Sequence, residues 1–411
     1  MSSFNADLRA RLAEVNASIA ELHLRLKPLE DARKQLQSEL DGIVYPVATL
    51  PPEITSNIFL RCLPPSPELS SPVKAHPSMF TAPLLFLQVC RMWRNIALST
   101  PRLWVDLHVN LGEFPHEMDE DDLEKCIRDW FGRAGTCPLS FSVRGYMSMD
   151  AFGSDAIGAI IRHHAPQLQT ICLQLRTAHF EAIEDFTGPF PILEKLAVAL
   201  PFLDGECPAI SQLFSDAPRL SQVSFSENAI PSMFYPSHDT LVKVACESCP
   251  ADDFLWAVKS HPILAEIACS VEPDPMFVYS HIDVITGSHL HTLHFMPGCS
   301  LHILPALRLP ALRHLRLSVD IDENNFLAFL AHSSTSLRSF SAESEITTFT
   351  VDWFAVMPEL TQLELYQQGD YFFLDFFAML NRAQNPRFLP HLRSLTFRSS
   401  TFRSTPLNFK V

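Results

Sequence analysis

Residues Pro310–Val319 read PALRHLRLSV, in which Leu312 is followed three and five positions later by the apolar Leu315 and Leu317. The same frame, L-x-x-Φ-x-Φ with Φ apolar or small, recurs in PILEKLAVAL (191–200), PRLSQVSFSE (218–227), PILAEIACSV (262–271), PELTQLELYQ (358–367) and PHLRSLTFRS (390–399). Ten segments fit it, led by Leu168, Leu193, Leu220, Leu241, Leu264, Leu290, Leu312, Leu337, Leu360 and Leu392. Consecutive leaders lie 21 to 32 residues apart, and self-similarity at such a period marks stacked structural units. Alternation inside each segment predicts a short strand with the Φ residues turned inward, followed by a turn and a returning segment. The returns read as amphipathic helices over Ala209–Ser215, Asp252–Lys259, Asn325–His332, Val351–Val356 and Tyr371–Asn381. The fold class is therefore α/β, an irregular solenoid over residues 137–411 with a strand and a helix or turn per repeat.

The period and frame resemble the leucine-rich repeat. The segments depart from it in lacking the asparagine that usually follows the strand, which predicts irregular turns. Cys137–Val143 reads as an atypical first strand, preceded by a helix at about Asp122–Ala134 within a helical linker, 105–136. Side chains between the Φ positions should line the exposed face of the sheet. Two such columns are small and bland early in the array and carry His294, Met296, Arg316, Glu343, Glu364, Tyr366 and Arg398 late in it. Arg and Tyr are enriched at interface hot spots, so a target protein is expected to dock on this C-terminal concave surface.

Upstream of the repeats the periodicity changes. Leu8, Leu12, Val15, Ile19, Leu22, Leu26 and Leu29 alternate steps of four and three, and Leu36, Leu40 and Ile43 continue the register past Arg33. This is the pattern of a coiled-coil helix over residues 1–43 and makes a homodimer through the arm one expectation. Pro28 should kink that helix or divide it in two. Residues 44–104 then give two apolar stripes at helical spacing, in LPPEITSNIFLRCLP (50–64) and APLLFLQVCRMWRNIALSTPRLW (82–104), around a Pro/Ser-rich insert at 64–83. A helical unit this small must lean on the rest of the chain or on a partner.

The order Leu50-Pro51-x-Glu53-Ile54, Ile58-Phe59, Val89-Cys90-x-x-Trp93-Arg94-x-Ile96-Ala97 and Pro101-x-Leu103-Trp104 is similar to the F-box. A heptad arm leading into IVYPVATLPPEI (43–54) and a box ending in TPRLW (100–104) resemble more narrowly the basidiomycete fungal F-box group. The long insert departs from the family without removing a matched position. The resemblance implies that Leu50, Pro51, Ile54, Ile58, Phe59, Val89, Cys90 and Trp93 dock a Skp-type adaptor, and through it a cullin–RING ubiquitin ligase. The repeats would then recruit the target, making the chain the substrate-recognition adaptor of an SCF-type E3 ligase. The alternative is a repeat scaffold outside any ligase, dimeric through the N-terminal heptads, with the box reduced to a structural cap.

Composition narrows the remaining classes. A net charge of −15 argues against a nucleic-acid or anionic-membrane surface. No apolar run approaches a bilayer-spanning length, and no export signal is visible, so cytoplasm or nucleus with free thiols is expected. Cys246-Glu-Ser-Cys249 is a CxxC, but Cys246 falls on an inward Φ position, as does Cys269, which favours core packing over redox or zinc chemistry. His289, His291 and His294 alternate along one segment without an acidic or Cys ligand beside them, and His163-His164 lack catalytic partners. No Gly-rich phosphate loop or nucleophile elbow is present, and no basic pocket for a phosphate stands out. No cofactor, metal or enzymatic activity is expected.

Overall fold

The structure is a computed structural model that describes residues 2–42, 49–64, 77–114, 118–145, 152–181, 183, 186, 188–201, 213–229, 239–272, 284–318, 323–333, 336–343, 352–366, 376, 379–381, 384–398 and 407–410. It is a mixed α/β molecule with one long N-terminal helix and a large parallel sheet. The helix, α1 (Ser2–Asp41), runs without a break through Pro28, so the proline does not divide it. A proline removes one backbone donor, and the Leu, Ala, Glu and Lys around it are strong enough helix formers to carry the helix on. Three short helices follow, α2 (Pro52–Arg61), α3 (Phe86–Val89) and α4 (Arg91–Leu98).

Strand β1 (Asp106–Asn110) comes next, then α5 (Glu120–Ala134), β2 (Leu139–Arg144), α6 (Ser154–His164), β3 (Leu168–Gln174) and α7 (Thr177–Glu181). The chain continues through β4 (Lys195–Leu200), β5 (Gln222–Glu227), β6 (Lys243–Cys249), α8 (Ala251–Ser260) and β7 (Glu266–Val271). It then forms β8 (Ile285–Thr286), β9 (Thr292–Phe295), β10 (Leu307–Arg308), β11 (His314–Leu317) and α9 (Glu323–Ser333). Strand β12 (Ser339–Ala342), α10 (Asp352–Ala355), β13 (Gln362–Tyr366), β14 (Ser394–Arg398) and β15 (Leu407–Lys410) complete the described elements.

Among the described residues thirteen strands form one sheet in strict chain order, and β8 and β10 pair separately beside it. Every pairing from β1 to β14 in the large sheet is parallel; only β15 runs antiparallel. The register matches the sequence frame residue for residue. The first Φ positions form one row: Ile171, Leu196, Val223, Val244, Ile267, Leu293, Leu315, Phe340, Leu363 and Leu395. All ten leading leucines are at most 3% exposed. The core is thus a stack of leucine layers running the length of the sheet.

The turns that lead into the strands are tied together by the backbone. The residue after each leading leucine donates its N–H to its counterpart one segment earlier, from Glu194 N–H to Gln169 O (2.9 Å) through to Arg393 N–H to Thr361 O (2.9 Å). Hydroxyls reinforce some turns, as where Thr240 donates to Leu220 O (2.8 Å) and Ser336 to Leu312 O (2.9 Å). These bonds satisfy groups that would otherwise be orphaned at the sheet edge.

Several sequence expectations are adjusted. Residues 105–136 are not wholly helical: β1 lies inside them and pairs with β2. Helices α8, α9 and α10 fall on three of the expected returns, while most of Ala209–Ser215 and Tyr371–Asn381 lies outside the described residues. Cys246, Cys249 and Cys269 are buried, and burial pushes the Cys269 thiol well up.

Helix α6 carries a titratable group worth a test. Glu120 of α5 caps its start, accepting from Gly153 N–H (2.9 Å) and Asp155 N–H (3.1 Å), which favours a carboxylate at a positive helix end. At the far end His164 is buried against Phe131, ring centroids 5.2 Å apart, and its Nε2 has no hydrogen-bond partner among the described residues. Burial, then His163 and Arg128, lower its pKa from 6.5 to about 4. A histidine whose folded pKa is depressed takes up its proton first in the unfolded chain. Its contribution is therefore complete above pH 6.5 and lost as the pH falls towards 4. With allowance for solvent at the ring edge, the loss should be about 2 kcal/mol. Urea unfolding of the parent chain and of His164→Leu across that range checks it: the difference between them should carry this slope, and parallel profiles would exclude it.

Candidate docking surfaces

Helix α2 begins at Pro52 behind Pro51, with Glu53 in its first turn, the chemistry a helix start favours. Its sequence gives it two stripes at i, i+4 spacing. Thr55 and Phe59 are 1% exposed and face inward, whereas Ile54 and Ile58 remain 48% and 43% exposed. Phe59 stacks on Phe86 of α3 with ring centroids 4.0 Å apart, and Trp93 of α4 meets both rings edge-on at 4.9 and 6.1 Å. Arg94 Nε donates to Leu87 O (2.8 Å), and Cys90 Sγ accepts from Trp93 N–H (3.4 Å), fixing the α3–α4 corner. The small aromatic core continues through Ile96 and Leu103 to Trp104, whose Nε1–H donates to Ala97 O (2.9 Å). Trp104 lies edge-on to Trp130 at 4.9 Å, and the Arg133 guanidinium sits 4.5 Å from its ring. The helical unit and the sheet therefore share one continuous core.

The eight residues expected to dock an adaptor divide accordingly. Pro51, Ile54, Ile58, Val89 and Cys90 are exposed, and Leu50 is half-buried. Phe59 is not a surface residue: one step along the helix from Ile58 turns it about 100°, onto the inward stripe. Trp93 is half-buried and serves chiefly as packing. Sequence reasoning passed over Met79, Phe80 and Leu85, which are 52%, 86% and 39% exposed. Most of the insert, residues 65–76, and the stretch 43–48 lie outside the described residues.

A second exposed apolar surface lies on α1, whose seam from Leu8 to Leu40 is 46 to 68% exposed at the nine described heptad positions.

On the sheet face, the first expected column forms a true lateral row, with His294, Arg316, Ser341, Glu364 and Thr396 as neighbours. Arg316 forms an ion pair with Glu343, and Ser318 Oγ donates to the other carboxylate oxygen of Glu343 (2.7 Å). Burial works to raise the Glu343 pKa, but the bonds from Ser318 and Arg316 outweigh it, so the carboxylate stays ionised. His294 sits half-buried beside them, its pKa lowered first by burial and then by Arg316, against the pull of Glu343. Met296 and Tyr366 are half-buried, and the side chain of Arg398 lies outside the described residues. The arrangement is a preorganised polar strip, with Arg316 already committed to Glu343. No cluster of three or more His, Cys, Asp or Glu suited to a metal occurs among the described residues. No described helix is long and apolar enough to cross a membrane.

No family model and no curated protein matches the chain. Among solved structures it resembles one described as the crystal structure of a Rad7 and Elc1 complex in yeast. The two share 14% identity over 93% of this chain and 95% of that one, with a TM-score of 0.33. A likeness at that level carries no argument about what this chain does.

Proposed function

We propose that the chain is an F-box protein of the basidiomycete type and the target-recognition subunit of an SCF-type ubiquitin ligase, with no chemistry of its own. Residues 44–104 are the box that docks a Skp-type adaptor, and the parallel sheet with its returning helices is a leucine-rich-repeat solenoid that holds the target. The observation that carries the reading is the pair of stripes on α2. A unit whose core is already filled by Phe59, Phe86 and Trp93 still presents Ile54 and Ile58 to solvent, beside the exposed Pro51. Apolar side chains left at such positions on a small unit suit burial in a partner, and these belong to the ordered F-box match. Target docking is assigned to the strip around His294, Arg316, Glu343, Glu364 and Tyr366, where rigid polar groups and a tyrosine concentrate.

Co-purification of the full chain with a Skp-type adaptor tests the proposal. The parent chain should retain the adaptor in one-to-one ratio, and Leu50→Ala with Pro51→Ala should bind it about tenfold more weakly. A folded parent chain that retains no adaptor removes the ligase reading.

A second reading is favoured by the exposed seam of α1. Nine exposed apolar heptad positions suit pairing with a second copy of the helix, and a scaffold dimerised through residues 1–43 would use them. This pairing is compatible with the ligase reading and replaces it only if the box binds nothing.

A further inference from the structure

The edge at which the strands begin carries three arginines. The backbone ladder that closes the turns runs His291, Arg313, Arg338, Thr361, Arg393 in its C-terminal half, each donating to the one before (2.8 to 2.9 Å). Neighbouring strands lie about 4.8 Å apart, so residues far apart in sequence become adjacent charges. Arg338 and Arg393 stand on either side of Thr361, roughly 10 Å apart, and a cleft of about 470 Å³ opens there. Gln362, His391 and Ser394 also line it, adding an amide, an imidazole and a hydroxyl.

Among the described residues Arg313, Arg338 and Arg393 make no ion pair, although Lys243 and Arg316 elsewhere on the sheet do. Their field reaches His314, which burial first, and then His291, Arg313 and Arg338, hold below its ordinary pKa against the pull of Glu266. In a chain of net charge −15, two arginines at one cleft stand out. One carboxylate, Glu359, lines the cleft as well, leaving the two arginines in excess.

We propose that this cleft binds a phosphate group carried by a protein segment, with Arg338 and Arg393 gripping its oxygens from two sides. Guanidinium groups meet phosphate oxygens in bidentate geometry, and charge-assisted bonds of this kind are about twice as strong as neutral ones. The cation row also stops short. Its earlier rungs, Gln169, Glu194, Ser221, Val242 and Ala265, carry no cation, and Lys243 at the start of β6 is paired with Glu266, so the ladder offers no continuous basic track to a polyanion. The choice of a protein as carrier rests on the target-receptor reading; the phosphate chemistry of the cleft does not.

Calorimetric titration of the full chain, without adaptor, tests this with four probes: inorganic phosphate, a blocked Ala-Ala-phosphoserine-Ala-Ala peptide, its unphosphorylated form and a uridine dodecamer. The phosphopeptide should bind about tenfold or more tightly than inorganic phosphate, and the unphosphorylated peptide should not bind. Arg338→Gln with Arg393→Gln should weaken phosphopeptide binding at least about tenfold, and Glu359→Gln should strengthen it. Phosphopeptide binding that is absent, or unchanged in the arginine variant, overturns the proposal. Inorganic phosphate binding as tightly as the peptide, or the dodecamer binding more tightly, overturns the protein carrier. A chain that binds phosphopeptide through these arginines but no Skp-type adaptor keeps the cleft and loses the ligase.

Discussion

Replacing Ile54 and Ile58 together by aspartate is expected to weaken capture of a Skp-type adaptor by a factor of about 100 or more while leaving the chain folded. Both side chains are nearly half-exposed in the free chain, so the substitution removes little packing and adds charge where water can reach it. In a docked complex the same positions would be buried. Each isoleucine then contributes about 1 to 2 kcal/mol over its exposed portion, and each aspartate brings an unpaired carboxylate into an apolar contact. The two effects add on one stripe of α2, and about 2.7 kcal/mol already makes a factor of 100. Titration of labelled adaptor against parent and variant, with thermal unfolding of both, gives the answer. A melting temperature within about 2 °C of the parent and lost binding would place the docking surface on this stripe. Unchanged affinity in a folded variant would remove Ile54 and Ile58 from it, and the F-box reading would lose its main structural support.

The parallel sheet was legible because two signals agreed. The leading leucines set the period and the Φ positions set the inward face, so strand register followed the sequence frame along the whole row from Ile171 to Leu395. Strand β1 was missed for a local reason. PRLWVDLHVN (101–110) begins like a repeat segment, but its next inward residue, Leu107, comes four positions after Leu103 rather than three. The one-residue offset hides the frame, and Leu103 and Trp104 also close the helical unit. The burial of Phe59 was not legible because the family order names it next to Ile58, whereas helical rotation turns adjacent residues to different faces. The cation row could be read only in part. Arg313, Arg338 and Arg393 all follow a leading leucine, but turn residues carry no inward or outward rule. Their adjacency emerges from the backbone ladder. The exposure of Phe80 and Met79 had no sequence signal, since an aromatic beside a proline-rich insert is as readily a core anchor.

Phe59→Ala should have the opposite signature to the aspartate pair: a large loss of stability concentrated in the helical unit. Phe59 is 1% exposed, stacked on Phe86 and met edge-on by Trp93, so its removal leaves a cavity bounded by two rings held in place by their own helices. Substitutions of this kind cost about 3 to 5 kcal/mol. Phe59→Leu, which refills most of the space, should cost about 1 to 2 kcal/mol. The large sheet has its own leucine layers, with Leu293, Leu312 and Leu337 fully buried far from this site, and need not melt with the box. Hydrogen exchange should therefore lose protection in α2, α3 and α4 at denaturant concentrations where β9, β11 and β12 keep theirs. Adaptor capture should fall as well, because the stripe that carries Ile54 and Ile58 is held at its angle by the ring beneath it. Loss of binding with loss of local protection separates a supporting residue from a contacting one. If Phe59→Ala leaves protection in α2 unchanged, the aromatic core described here does not hold the box together, and the distinction between its two stripes has no basis.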